Sequence, residues 1–296
     1  MKILTFVVSC LATLLLCVAD VPRVAILGDS ITYGGRWPTL VESALRETPQ
    51  FSDAVIVNFG LSSETVSGLS EPNHAGGKFP RPCLHERLER IFQAYRPTHV
   101  LACYGMNDGI YLPLDPARQE AFQDGITRLK QAVEKRGAVF VAISAPLYQG
   151  DRGAGVASDY DAVLDAQAGW LRAQKGWQVI DIRPDLRAAV VEAKQKIPAF
   201  VYAKDQIHPG PEGHDFIAAA VVKQLWPLWQ LPGEPAMAQG QALGILSQRS
   251  ALLKHAWLSE TKHLRPGVPA GLPLAEAEKK AAELLDAYQR ASHPQK

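Results

Sequence analysis

Four short polar segments carry the side chains that could perform acyl transfer. They contain Ser30, Gly60, Asn107, and, in the last segment, Asp205 and His208 three residues apart. A serine hydroxyl becomes a strong nucleophile when a histidine removes its proton, and an aspartate can hold that histidine in the required tautomer. These residue types predict Ser30 as nucleophile and His208 as general base. Asp205 is the predicted partner that orients the imidazole.

The same segments contain three groups that could donate to an oxyanion. These are the backbone N–H groups of Ser30 and Gly60 and the side-chain amide of Asn107. Loss of one such donor typically costs about 10²–10³ in rate. Each residue also has a simpler interpretation, because a serine often caps a helix, a glycine relieves backbone strain and an asparagine braces its own loop.

A metal site is the main alternative for the last segment. Asp205, His208 and His214 have a spacing that permits coordination, but no further Cys, His or acidic cluster completes a tetrahedral site. His214 is more simply explained by packing within the following helix. Asp29 and Asp108, which flank predicted site residues, are best explained as braces of their own loops.

The elements that must position these residues form an alternating pattern. Short runs rich in Val and Ile, typical of buried parallel strands, lie at 23–28, 54–60, 99–105, 138–144 and 177–182. Helical patterns lie between them, at 38–47, 84–95, 116–136, 160–175 and 184–194, and a sixth follows the segment 210–213 and runs to about residue 225. This alternation predicts a three-layer, doubly wound α/β domain with a parallel sheet of about five strands. Chemistry in such sheets gathers beyond the carboxyl ends of the strands, where the polar segments fall.

Read together, the four segments resemble the blocks of the SGNH hydrolase superfamily, the GDSL-type esterases and lipases. The blocks are GDSIT with Ser30, NFGLSSET with Gly60, GMND with Asn107, and DQIH with Asp205 and His208. They occur in order between residues 24 and about 215. The resemblance implies a flavodoxin-like sheet, no cofactor and hydrolysis of carboxylic esters. Such esters are often O-acetyl groups on carbohydrates or acyl chains on small alcohols.

The N-terminal residues predict a secretory signal. Lys2 precedes an apolar run over residues 3–16, and the small Ala19 precedes the expected cleavage point. A retained membrane anchor is the alternative, because the run is near the short end for spanning a bilayer. We expect a secreted protein, periplasmic or extracellular, without stable membrane insertion after cleavage.

The chain divides into three predicted parts: a signal over 1–19, a hydrolase domain over 20–230, and a helical extension over 231–296 packed on that domain. The extension has helical patterns near 241–257 and 274–291, separated by the proline-rich segment RPGVPAGLP. The four blocks do not reach it, so the sequence assigns it no role. It also leaves open the oligomeric state and a disulfide between Cys83 and Cys103.

Charge and composition restrict the partners. Lys and Arg total 31 against 30 Asp and Glu, which gives a net charge of +1, and no basic block stands out. A nucleic-acid partner is therefore not expected. We expect a small-molecule or polysaccharide ester substrate, with a carbohydrate O-acetylesterase as first choice. A lipase or lysophospholipase, and a catalytically silent carbohydrate-binding relative, are the alternatives.

Overall fold

Five parallel strands form the central sheet. The computed structural model describes residues 21–149 and 159–293, so the predicted signal lies outside the described residues. The strands are β1 (Arg23–Gly28), β2 (Val55–Asn58), β3 (His99–Cys103), β4 (Val139–Ile143) and β5 (Gln178–Ile180). Their order is β2-β1-β3-β4-β5 and every neighbouring pair is parallel. The predicted parallel α/β sheet is confirmed.

Helices cover both faces of this sheet. They are α1 (Ser30–Tyr33), α2 (Arg36–Arg46), α3 (Leu84–Tyr95), α4 (Pro116–Glu134), α5 (Tyr160–Arg172), α6 (Arg183–Lys196), α7 (Pro211–Leu228), α8 (Gly240–Thr261) and α9 (Leu274–Ser292). Alternate residues of β1 enter different apolar layers: Val24 and Ile26 join one, and Ala25 and Leu27 join the other. A strand buried on both sides has no polar face, which explains the nearly continuous apolar runs in the sequence.

Some differences from the predicted elements lie beside the polar segments. The run at 54–60 leaves the sheet after Asn58, so that Phe59 and Gly60 belong to the following loop. A single helical turn, α1, follows β1 directly. Four residues are too few to show a helical period in the sequence, so this turn was not predicted.

The two C-terminal helices pack against each other, and α8 also packs against α2 and the sheet edge at β2. Trp257 of α8 lies against Phe59 and Tyr95, with ring centroids 5.9 and 5.1 Å away. Arg249 of α8 forms a buried ion pair with Glu42 of α2. Aromatic packing thus attaches α8 to the segment that leads to Gly60, and the ion pair attaches it to α2.

Two further observations concern the chain as a whole. Within the two described ranges, no helix combines the length and the apolar character needed to cross a bilayer. Cys83 and Cys103, whose pairing the sequence left open, are both free thiols.

Candidate active site

The structure brings Ser30, His208 and Asp205 into one hydrogen-bonded chain. Ser30 opens α1 directly after β1, and the other two residues lie in the loop before α7. Ser30 Oγ lies 2.8 Å from His208 Nε2, and His208 Nδ1 lies 2.6 Å from Asp205 Oδ2. Hydroxyl, imidazole and carboxylate therefore stand in the order that proton transfer from a serine requires.

Asp205 is held as a carboxylate by its hydrogen bonds. Its Oδ1 accepts from the backbone N–H groups of Ile207 (3.0 Å) and His208 (2.7 Å). Partial burial raises its pKa, but the bond from the His208 ring and these two N–H groups outweigh burial and lower the pKa to about 2. An ionised Asp205 keeps the ring proton on Nδ1, which leaves Nε2 to accept from the serine.

The serine turn is fixed by Asp29, a role the sequence assigned to it. Its Oδ1 accepts from the Ile31 N–H at 2.9 Å and caps α1. Burial raises the pKa of Asp29 to about 7. Because Ser30 is the first helical residue, its backbone N–H has no intrahelical acceptor and is available to a substrate oxygen.

Gly60 lies against the serine turn with no room for a side chain. A Cβ there would stand 2.4 Å from the Tyr33 nitrogen and 2.8 Å from the Thr32 carbonyl carbon. The Gly60 N–H donates to Asn58 Oδ1 at 2.8 Å, while Asn58 Nδ2 donates to the Thr32 carbonyl at 2.7 Å. Asn58 thus links the serine turn to the glycine loop, and an oxyanion would share the Gly60 N–H with it. Sequence reasoning missed Asn58, although it stands two residues before the glycine.

Asn107 is buried, and both polar atoms of its side-chain amide form hydrogen bonds. Its Nδ2 donates to the Glu64 carbonyl at 3.1 Å, and its Oδ1 accepts from the Tyr111 hydroxyl at 3.1 Å. Among the described residues, nothing accepts the second amide hydrogen. The carboxamide is therefore fixed in orientation with one donor to spare.

A buried ion pair supports the segment that holds Asn107. Glu64 accepts two bonds from Arg87, each of 2.7 Å, and one of 2.7 Å from the Tyr104 hydroxyl. Arg87 also donates to the Phe59 carbonyl at 2.7 Å, next to Gly60. Burial raises the pKa of Glu64, and the Arg87 charge opposes that shift. The Glu64–Arg87 pair thus links the segment that holds Gly60 to the segment that holds Asn107. In the sequence, Glu64 lies inside the glycine block, and nothing marks Arg87 as its partner.

Asp108 and His214 are the other polar residues near the site that the sequence singled out. Asp108 accepts from the backbone N–H groups of Val66 and Ser67, both at 2.8 Å, so it braces a loop 41 and 42 residues away rather than only its own. His214 lies within α7, where burial and then the Arg36 charge lower its pKa to about 4. In the part of the chain that the structure describes, no three His, Cys, Asp or Glu residues are arranged to hold a metal ion.

A cleft of about 620 Å³ opens beside His208 and Asp205. Phe200, Val201 and Tyr202 form much of its wall, and Lys204 and Glu212 add charge. Phe200 and Glu212 also border a neighbouring pocket of about 270 Å³. Ser30, Gly60 and Asn107 do not line the cleft. It can therefore receive a group attached to the reacting ester, but the reacting carbonyl itself belongs at Ser30.

Residues 26–216 match the family of GDSL-like lipases and acylhydrolases. This match covers more than half of the chain and includes all four polar segments. The chain belongs to the GDSL-like lipase/acylhydrolase family. It is a serine hydrolase that acts on carboxylic esters. Among the curated proteins, none matches its sequence.

Solved structures of other proteins are similar to this GDSL hydrolase. A catalytic mutant of Axe2, an acetylxylan esterase from Geobacillus stearothermophilus, is 16% identical with a TM-score of 0.51, over 69% of this chain and 94% of that one. LAE5, an enzyme from the metagenome of Lake Arreo, is 19% identical over 69% of this chain and 94% of its own, with a TM-score of 0.49.

A third solved structure is a longer protein. BT4096, a gut microbial diltiazem-metabolizing enzyme, is 21% identical with a TM-score of 0.49. The match covers 69% of this hydrolase but only 46% of that chain. At these identities, the likeness concerns the fold alone.

Proposed function

We propose that this hydrolase is a secreted carbohydrate O-acetylesterase that works through an acyl-enzyme on Ser30. The observation that carries the proposal is the hydrogen-bonded chain from Ser30 through His208 to Asp205. Ser30 Oγ attacks the ester carbonyl while His208 Nε2 takes its proton. His208 then protonates the leaving alcohol, and water releases the acetyl group by the same route.

The developing oxyanion has three donors in this mechanism. They are the backbone N–H groups of Ser30 and Gly60 and the Asn107 side-chain amide. Asn107 is held in place by Glu64 and Tyr111, and the Gly60 loop is tied to the serine turn through Asn58. Donors fixed before the reaction need little reorganisation when charge develops, which is the source of their effect on rate.

Secretion and the carbohydrate substrate are also part of the proposal. Lys2, the apolar run over 3–16 and Ala19 support a cleaved signal. Axe2, which shares the fold, is an acetylxylan esterase, and this motivates an acetylated carbohydrate as the substrate. The catalytically silent alternative would lack a triad or oxyanion residue, and all five are present.

A second candidate is a lipase-type acylhydrolase, which the cleft beside His208 favours. Val201 in the cleft and Ile197 in the adjoining pocket are more than half exposed apolar side chains. They could cover an acyl chain that continues past the triad.

A chain-length series of 4-nitrophenyl esters distinguishes the two candidates. For an acetylesterase, we expect kcat/KM to fall by about tenfold or more from acetate to octanoate, because a small acyl site excludes the longer chain. The measurement is initial release of 4-nitrophenolate by the mature chain. A higher kcat/KM for octanoate, reduced by Val201→Asp, would contradict the acetylesterase proposal and support the second candidate.

A further inference from the structure

A surface of aromatic and basic side chains borders the site on the side of the C-terminal extension. We call it the extension wall, and define it as Tyr33, His74, Phe79, His255 and Arg265. Tyr33, Phe79, His255 and Arg265 are partly exposed, so a solute can reach them, whereas the His74 side chain is largely covered.

The extension wall adjoins both the serine turn and the glycine loop. Tyr33 ends the turn that begins with Ser30, and its nitrogen is the atom nearest to a Cβ placed on Gly60. Arg265 Nε donates to the carbonyl of Ser62, two residues after Gly60, at 3.1 Å. The wall therefore lies at the rim of the reacting centre.

Contacts between the members hold the wall together. The Tyr33 hydroxyl lies 3.2 Å from His255 Nε2. The Arg265 guanidinium lies 5.3 Å from the Phe79 ring centroid, and the His74 ring centroid lies 5.3 Å from the same ring. The wall thus has two contacting groups, Tyr33 with His255 and Arg265 with Phe79 and His74. Burial raises the pKa of Tyr33 and the Arg265 charge opposes that shift, so the two groups lie near each other.

The wall also carries the positive charge of Arg265, which has no carboxylate partner among the described residues. Arg265 uses Nε and Nη1 on the carbonyls of Ser62 and Pro266, and no acceptor among the described residues is bonded to Nη2. Behind the wall, buried Lys254 donates to the Tyr33 carbonyl at 2.6 Å. Within the described ranges, neither cation has a carboxylate partner. The acidic neighbour Glu71 is already engaged by two 2.7 Å bonds from Arg81.

The position of the extension wall determines which part of a substrate would contact it. An acetyl group extends only one carbon beyond the reacting carbonyl. If the proposed function holds, on which this inference rests, a rim surface must meet the alcohol part. Aromatic faces suit sugar rings, and a guanidinium with a free N–H donates to a carboxylate through a charge-assisted bond.

We propose that the extension wall is a subsite for the alcohol part of the substrate, and that it selects sugars carrying a carboxylate. Arg265 donates to the carboxylate, and Tyr33 and His255 contact the sugar ring. The C-terminal extension thereby contributes to substrate selection.

The test compares two probes of nearly equal shape, the fully acetylated methyl glucuronoside and its carboxamide. Acetate release by the full mature chain gives kcat/KM for each. For the wild type at low salt, we expect the carboxylate probe to be favoured about three- to tenfold, as suits a partly exposed charge pair. The preference should shrink as ionic strength rises.

Variants assign the preference to Arg265. Arg265→Gln should bring the ratio of the two rates close to one, and Arg265→Lys should keep part of the preference. Arg290→Gln removes the same charge from an exposed position on α9 and should leave both rates unchanged.

Two results would overturn the subsite while leaving the esterase intact. One is a wild-type ratio of one; the other is an Arg265→Gln variant that slows both probes equally, since Arg265 would then only brace the Ser62 loop. If the wild type released acetate from neither probe and did not hydrolyse 4-nitrophenyl acetate, the proposed function would fail, and the subsite with it.

Discussion

Replacing His208 by alanine is expected to lower kcat for an acetate ester by about 10⁴ to 10⁶, with little change in KM. The variant leaves Ser30 without a proton acceptor and the leaving alcohol without a donor. The oxyanion donors remain, so some rate above the uncatalysed reaction should persist. Release of 4-nitrophenolate from the acetate ester, measured beside circular dichroism to check folding, gives the effect.

Two further variants distinguish the catalytic role of His208 from a general disturbance of the structure. Asp205→Asn should cost about 10⁴ in kcat, because an amide in place of the carboxylate favours the wrong imidazole tautomer. His293→Ala, which removes an exposed histidine at the end of α9, should leave activity unchanged. A folded His208→Ala protein with more than a tenth of wild-type kcat would contradict the assignment of His208 as base.

Replacing Arg87 by methionine is expected to lower the free energy of unfolding by about 3–5 kcal/mol. Glu64 is fully buried, and Arg87 supplies the cation that balances it. Without that cation, a buried carboxylate must either stay charged in an apolar surrounding or take up a proton. The change should also lower kcat, because the Glu64 carbonyl positions the Asn107 amide.

Urea unfolding monitored by tryptophan fluorescence measures the loss of stability. Adding Glu64→Gln to Arg87→Met should restore part of it, since the uncompensated charge is then gone. As a matched control, Lys280→Met breaks the exposed Glu276–Lys280 pair and should change stability by less than about 0.5 kcal/mol. If Arg87→Met lost less than 1 kcal/mol, the ion pair would not be a main support of this segment.

The sheet and the hydrogen-bonded residues Ser30, His208 and Asp205 could be predicted from the sequence for physical reasons. Strands buried on both faces must be apolar throughout, so the five runs stand out from the amphipathic helices. Polar residues that follow such strands must meet at one edge of a parallel sheet. Asp205 and His208 are near in sequence, and only Ser30 had to be brought to them across 178 residues.

The parts that could not be predicted depend on contacts between residues far apart in the chain. Lys254 and Tyr33 are 221 residues apart, and Arg265 and Ser62 are 203 apart. No periodicity or spacing in the sequence reveals such pairs, because each partner taken alone looks like an ordinary surface residue. Asn58 was missed for a different reason: at the end of an apolar strand it looks like a turn former, and its bond to Thr32 exists only after folding.

The identity of the nucleophile is the central claim, and a fluorophosphonate tests it most directly. The reagent phosphonylates an activated serine, and mass spectrometry of the digested protein locates the adduct. We predict one adduct per chain, on Ser30, with esterase activity lost in proportion to labelling and no adduct in Ser30→Ala. Labelling of a different residue in step with inactivation, or full activity after Ser30 is modified, would contradict the account.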